Sequence, residues 1–206
     1  FGYTNLPTGL KDYKIVQLSD IHVGPSIDLD DLDEILKLAL VEKPNRVVIT
    51  GDLIDKLAWL PQVCERLTTF AKQIPDGVDF ILGNHEYHHD VNKVLDELKH
   101  NTPMNILVNS NIQIMGGKQP VYIAGVAYDN DREKEKREAM IDKALSGIPD
   151  YAFVILLAHH PEFFEEAIER KIPLTLSGHT HGGQVRVPFK GGLYVGDQGW
   201  FPKYDT

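Results

Sequence analysis

Apolar residues fall along this chain in two rhythms. Short runs rich in β-branched residues read as strands at 14–18, 46–50, 78–82, 152–158 and 174–176. Between them, apolar positions spaced by three and four predict helices at 30–42, 59–73, 90–100, 131–146 and 162–170. The first of these places Leu32, Ile35, Leu36, Ala39 and Leu40 on one side, with acidic residues in its opening turn, where the helix dipole favours them. Pro75 stops the second. The middle breaks the alternation: 112–115 and 121–126 are strand-like with no helix between them, which predicts a hairpin. The tail is rich in glycine and aromatic residues and reads as loop. Strand–helix–strand units plus adjacent strands imply a layered α/β fold with partly parallel sheets, one domain spanning residues 1–206.

The length of 206 residues leaves ample room for one core. Net charge is −9, so the electrostatic footprint of a nucleic-acid binder is missing and no nucleic-acid partner is expected. Phosphate-bearing substrates would then need local positive charge, which bound metal ions supply. Cys64 is the sole cysteine, so the chain forms no internal disulfide; its place in helix 59–73 predicts a small core residue. No apolar run is long enough to span a bilayer. The sequence begins at Phe1 without Met, which reads as a processed or excised domain and leaves room for an anchor or signal outside this chain.

Five polar segments follow the strand-like runs: Asp20-Ile21-His22, Gly51-Asp52, Gly83-Asn84-His85-Glu86, His159-His160-Pro161 and Gly178-His179-Thr180-His181. Strand ends along one sheet edge bring sequence-distant side chains together. Asp, Asn and His offer oxygen and imidazole donors suited to divalent ions of intermediate hardness. Asp20 and His22, two apart in extended backbone, face the same side and can reach one ion. The Asp52 carboxylate can bridge two cations, and the Asn84 oxygen is a reasonable ligand within a cluster. Asn84 and His85, adjacent in what reads as an irregular loop, would diverge, one to metal and one to substrate. His159 ends an apolar strand, whereas His160 is expected to point elsewhere. The glycine-flanked pair His179 and His181 is the most specific of the five.

In this order the pieces DIH, GDLID, GNHE, HHP and GHTH resemble the calcineurin-like metallophosphoesterase superfamily, from Asp20 to His181. The ending GHTHGGQV looks like a bacterial branch of exported or membrane-tethered phosphodiesterases and hydrolases of UDP-2,3-diacylglucosamine. The resemblance implies a four-layer α/β/β/α sandwich of two mixed sheets flanked by helices, with further closing strands beyond residue 206. It implies two divalent ions, Asp20, His22 and His181 on the first, Asn84, His159 and His179 on the second, and Asp52 bridging them. Manganese is the expected ion, with iron, zinc, cobalt and magnesium as alternatives. His85 would be the general acid and Asp55, the second acid of GDLID, would orient it. The implied reaction is attack of a metal-bridging hydroxide on a phosphodiester or pyrophosphate, with a small phosphoester or nucleotide-lipid as substrate. A monomer is expected, membrane-associated or exported in a bacterium, with the cytoplasm as alternative. A non-catalytic metal-binding scaffold on the same fold is the competing reading, and the full ligand set together with His85 argues against it.

Around this set, Arg132 beside Asp129 and Asn130 is the candidate phosphate contact, and Asn84 serves substrate as well as metal. Lys134, Lys136 and Arg137 alternate with glutamates and read as a solvated helix face. Ser19, Ser177 and Thr180 are expected to hydrogen-bond around the ligands. Trp200 and Phe201 are expected to pack beneath further strands, the alternative being an apolar lip for an acyl chain or membrane surface.

Overall fold

A computed structural model describes residues 6–127, 133–183, 185–187, 191–195, 199–200 and 202–203. In chain order its elements are β1 (Ile15–Leu18), α1 (Leu29–Val41), β2 (Arg46–Ile49), α2 (Leu60–Ala71), β3 (Val78–Phe80), α3 (Asn84–His88), α4 (Val91–Asn101) and β4 (Asn105–Ile106). There follow β5 (Ser110–Met115), β6 (Val121–Gly125), α5 (Lys134–Leu145), β7 (Phe153–Leu157), α6 (Phe163–Glu169) and β8 (Leu174–Leu176). The tail holds β9 (Val185–Val187), β10 (Gly191–Val195) and β11 (Gly199–Trp200).

The first sheet runs β1-β2-β3-β4, parallel throughout. The second runs β5-β6-β7-β8, with β5 antiparallel to β6 and the rest parallel. The period of two along each strand builds the layers. Val47 and Ile49 of β2 pack with Leu36, Leu67 and Leu98 of the helices. Val48 between them turns the other way, into an inner layer with Ile81, Ile123, Ile155 and Leu157. Ala124 and Leu156 face outward again, against Ile141 and Ala144 of α5 and Phe163 and Ala167 of α6. Helices, sheet, sheet, helices is the expected four-layer order.

Local chemistry fixes the helix ends. Asp28 caps α1 by accepting from the N–H groups of Asp30 and Asp31, and Asp31 reaches back to the Asp28 N–H, a reciprocal capping box. Cys64 is buried in the α2 face as expected, and burial, with the Glu97 charge, pushes its thiol up to about 12. The charged helix α5 departs from its reading as a solvated face at one position. Arg137 turns inward, its guanidinium 2.8 Å from Glu166, a carboxylate wholly buried in α6. Arg137→Ala would leave that charge stranded, so we expect a loss of about 3–5 kcal/mol, read as a lowered midpoint in urea unfolding.

The tail is the main departure. Read as loop, it forms a three-stranded antiparallel sheet, β11-β10-β9. Gly191 and Gly192 supply no strand propensity, and pairing rather than composition makes these residues extended. Trp200 is exposed and meets the Tyr194 ring edge-on. Phe201 lies outside the described residues, as does Arg132.

Candidate metal centre

Strand register places the site. Leu18 pairs with Ile49 and Ile49 with Phe80, so β1, β2 and β3 end level at one edge. Leu157 pairs with Leu176, so β7 and β8 end level too. The residues just past these ends are the five polar segments, and the two sheets deliver them to one place.

The backbone there is unusual. Asp20, His22, Asp52, His179 and His181 all have φ between 50° and 69°. That left-handed region is uncommon for side-chain-bearing residues, and Asp, Asn and His tolerate it better than most. Such corners point successive side chains inward from tight turns. The turns also touch: a Cβ on Gly178 would lie 2.0 Å from Ser19 Oγ and 2.5 Å from Asp20 Oδ2, so only glycine allows this approach.

Two sets of donors result. In the first, Asp20, His22 and His181 bring ligand atoms within 4.8 Å of one another. His22 Nε2 faces His181 Nε2 at 3.3 Å, and Asp20 Oδ1 is 3.6 Å from the latter. In the second, Asn84 Oδ1 lies 3.0 Å from both His159 Nε2 and His179 Nδ1. Asp52 sits between the sets, its Oδ2 3.2 Å from His159 Nε2 and 3.7 Å from His22 Nε2.

Neighbours fix which atoms face inward. His159 donates from Nδ1 to the Thr50 carbonyl at 2.7 Å, leaving Nε2 for the centre. Asp55 Oδ1 accepts from His22 Nδ1 at 2.9 Å and from His85 Nδ1 at 2.6 Å, which turns both Nε2 atoms away from it. Asp20 accepts the His179 backbone N–H on both oxygens, at 2.9 and 3.0 Å. Lone pairs of carboxylate, amide oxygen and imidazole therefore converge with few N–H or O–H donors among them. Such a donor set fits a divalent cation.

Charge coupling agrees. Burial works against the Asp52 charge, but hydrogen bonding and attraction from His159, aided by His85, hold its carboxyl far below the ordinary range. Burial likewise presses on His159, yet its hydrogen bond and attraction to Asp52, with the Asp20 charge, push its pKa up. Asp55 is held low by His22 and His85 against partial burial.

All seven expected ligands, with His85 and Asp55, thus meet at one edge. The expected loop at Asn84 and His85 is instead the short helix α3, too brief to show a period in sequence. His160, expected to point elsewhere and either to support the ligands or to be exposed, stacks on His179 with ring centroids 3.7 Å apart and groups with His159 and His179. Tyr87 and His88 are exposed beside the centre, the His88 ring 4.8 Å from that of His85. Ser19 reaches the Thr50 carbonyl at 3.5 Å, whereas Ser177 contributes its carbonyl, to Gln17 Nε2 at 2.8 Å, rather than its hydroxyl. Two contributors carried no signal as site residues in sequence, the Thr50 carbonyl and Gln17, while Glu86, part of the GNHE segment without a role assigned there, is a buried carboxylate.

Known proteins bear on this geometry. An uncharacterized metallophosphoesterase of Campylobacter jejuni is 37% identical over 186 residues, covering 87% of this chain and 47% of that protein. A zebrafish transmembrane protein with a metallophosphoesterase domain is 32% identical over 191 residues, covering 87% of this chain and 43% of that one. The chain spans less than half the length of these two relatives. Among solved structures, TT1561 of Thermus thermophilus superposes with a TM-score of 0.57 at 16% identity, over 80% of each chain, which speaks to the fold alone. The sequence profile described as calcineurin-like phosphoesterase matches residues 13–183, a span that contains every residue of the centre. With that match and these relatives, the chain belongs to the calcineurin-like phosphoesterase family.

Proposed function

We propose that the chain is a dinuclear-metal phosphodiesterase or pyrophosphohydrolase, folded as one domain. The observation that carries this reading is the buried Asp52 carboxylate lying between two donor sets. Asp20, His22 and His181 would hold one ion, Asn84, His159 and His179 the other, and Asp52 both, with manganese the ion we favour. When bound, such a pair supplies a hydroxide nucleophile near neutral pH and offsets charge on the phosphoryl oxygens.

The chain's own residues supply the rest. His85 is one-third exposed, so its Nε2–H can meet a leaving oxygen at the open side. Its Nδ1–H stays on Asp55, which fixes the orientation of the ring. Donating the Nε2 proton leaves a neutral ring that still holds Asp55. Asn84 contributes to substrate placement as well as metal. Arg132 is assigned to the substrate phosphate on its place in the sequence.

The substrate we favour is a small phosphoester, including nucleotide-lipids such as UDP-2,3-diacylglucosamine. The zebrafish and cattle relatives are named as transmembrane proteins. No helix among the described residues is long and apolar enough to cross a membrane. A membrane tether would therefore come from outside them.

The test is a hydrolysis panel of aryl phosphomonoesters, aryl phosphodiesters, cyclic nucleotides and UDP-diacylglucosamine. Treatment with EDTA should abolish turnover, and Mn2+ should restore it with two equivalents bound per chain. Protein that binds Mn2+ yet hydrolyses no phosphoester would overturn the reading.

A further inference from the structure

The turn carrying Asp52 and the segment carrying Asn84 and His85 are fastened together by a side chain outside the ligand set. Glu86 is wholly buried. Its Oε2 accepts from the N–H of Gly83 at 2.7 Å and of Asp52 at 3.0 Å. Its Oε1 accepts from the N–H of Leu53 at 2.8 Å and, more weakly, of Ile54 at 3.4 Å. In return, Asp52 Oδ1 accepts from the His85 N–H at 2.8 Å. Each segment's acid thus takes up the other's backbone donors. The join has no slack, because a Cβ on Gly83 would lie 2.2 Å from Asp52 Oδ1 and 2.5 Å from Asp52 N.

Only a carboxylate of this length fits the task. Its two oxygens are acceptors alone, and N–H groups surround both. Glutamine would turn an NH2 group toward N–H donors on one side. Aspartate, one methylene shorter, would not span both segments. With Oδ1 occupied by His85 N–H, Asp52 keeps Oδ2 for the centre, where it faces His159 and His22.

We infer that Glu86 is a positioning residue: by clasping the two segments it sets the aim of Asp52 relative to Asn84 and His85, and so the affinity of both cation places. This rests on the metal reading proposed above. Its effect passes through Asp52 and α3, since Glu86 is buried away from substrate.

The experiment pairs calorimetric Mn2+ titration with amide hydrogen exchange. Glu86→Gln should bind Mn2+ roughly 10–100-fold more weakly than wild type, the range typical for groups that orient ligands. Glu86→Asp, too short to span both segments, should weaken Mn2+ binding as well, and unchanged affinity in that variant would also count against the inference. A role in stability alone would lower the melting temperature and leave Mn2+ affinity of the folded variant unchanged, which would overturn the inference. Should Glu86→Gln fail to fold, exchange in EDTA-treated wild type decides. Slow amides at Asp52, Leu53 and Gly83 support a clasp built before metal arrives, and rapid exchange there overturns it. Wild type that takes up no Mn2+ would remove the metal reading itself, and the positioning role with it.

Discussion

Asp52→Asn should strip both cation places together. The substitution keeps nearly the same shape, and asparagine accepts the left-handed φ of 52° at this position as readily as aspartate. Its oxygen can still take the His85 N–H, so the fold should hold. What changes is charge and donor sense on the inward side, where Oδ2 faces His159 and His22. An amide there offers either a neutral oxygen or an N–H aimed at the centre, and one change weakens two places at once. Losing several kcal/mol of charge stabilisation corresponds to a fall in kcat/KM on the order of a thousandfold or more. Elemental analysis should report loss of both ions in parallel. Full occupancy of two ions in this variant would contradict a bridging role.

His85→Ala should separate chemistry from metal binding. His85 stands beside the donor sets, its Nε2 4.0 Å from Asp52 Oδ2, while Asp55 holds its far nitrogen. Removing the ring leaves Asp55 on His22, so the first donor set keeps its orientation. Ions should stay bound and KM should change little. Turnover of alkyl phosphodiesters, whose leaving oxygens need a proton, should drop about a hundredfold to ten-thousandfold. Nitrophenyl phosphodiesters, whose leaving groups depart as stable anions, should lose far less. Equal losses on both substrate types would take the acid role away from His85.

The legible parts of this molecule are those with a side-chain signature. β7 and residues 47–49 of β2, packed on both faces, show as apolar runs, and α1 announces itself by spacing and by the acidic residues of its opening turn. The seven convergent donors were visible because Asp, Asn and His between glycines after strands are rarely idle. What stayed hidden works through backbone. β4 has two residues and α3 five, too few for any period, and the tail strands exist only through pairing. The carbonyl of Thr50, which fixes the His159 tautomer, has no residue-type signal. Glu86 stands inside the GNHE segment with no role that its type alone reveals, and only the N–H groups gathered around it explain its burial.

The left-handed corners at Asp20, His22, Asp52, His179 and His181 constrain any attempt to re-engineer metal preference. A designer seeking a softer ion would exchange some of these residues for cysteine, and one seeking a larger hard ion would try glutamate. Neither newcomer shares the ease of aspartate or histidine in that conformation, so each exchange would carry a main-chain cost of about 1–2 kcal/mol before any bond to metal is considered. Selectivity in this scaffold is therefore more readily tuned at Asn84 and His159, whose main chain lies outside that region, than at the five corners.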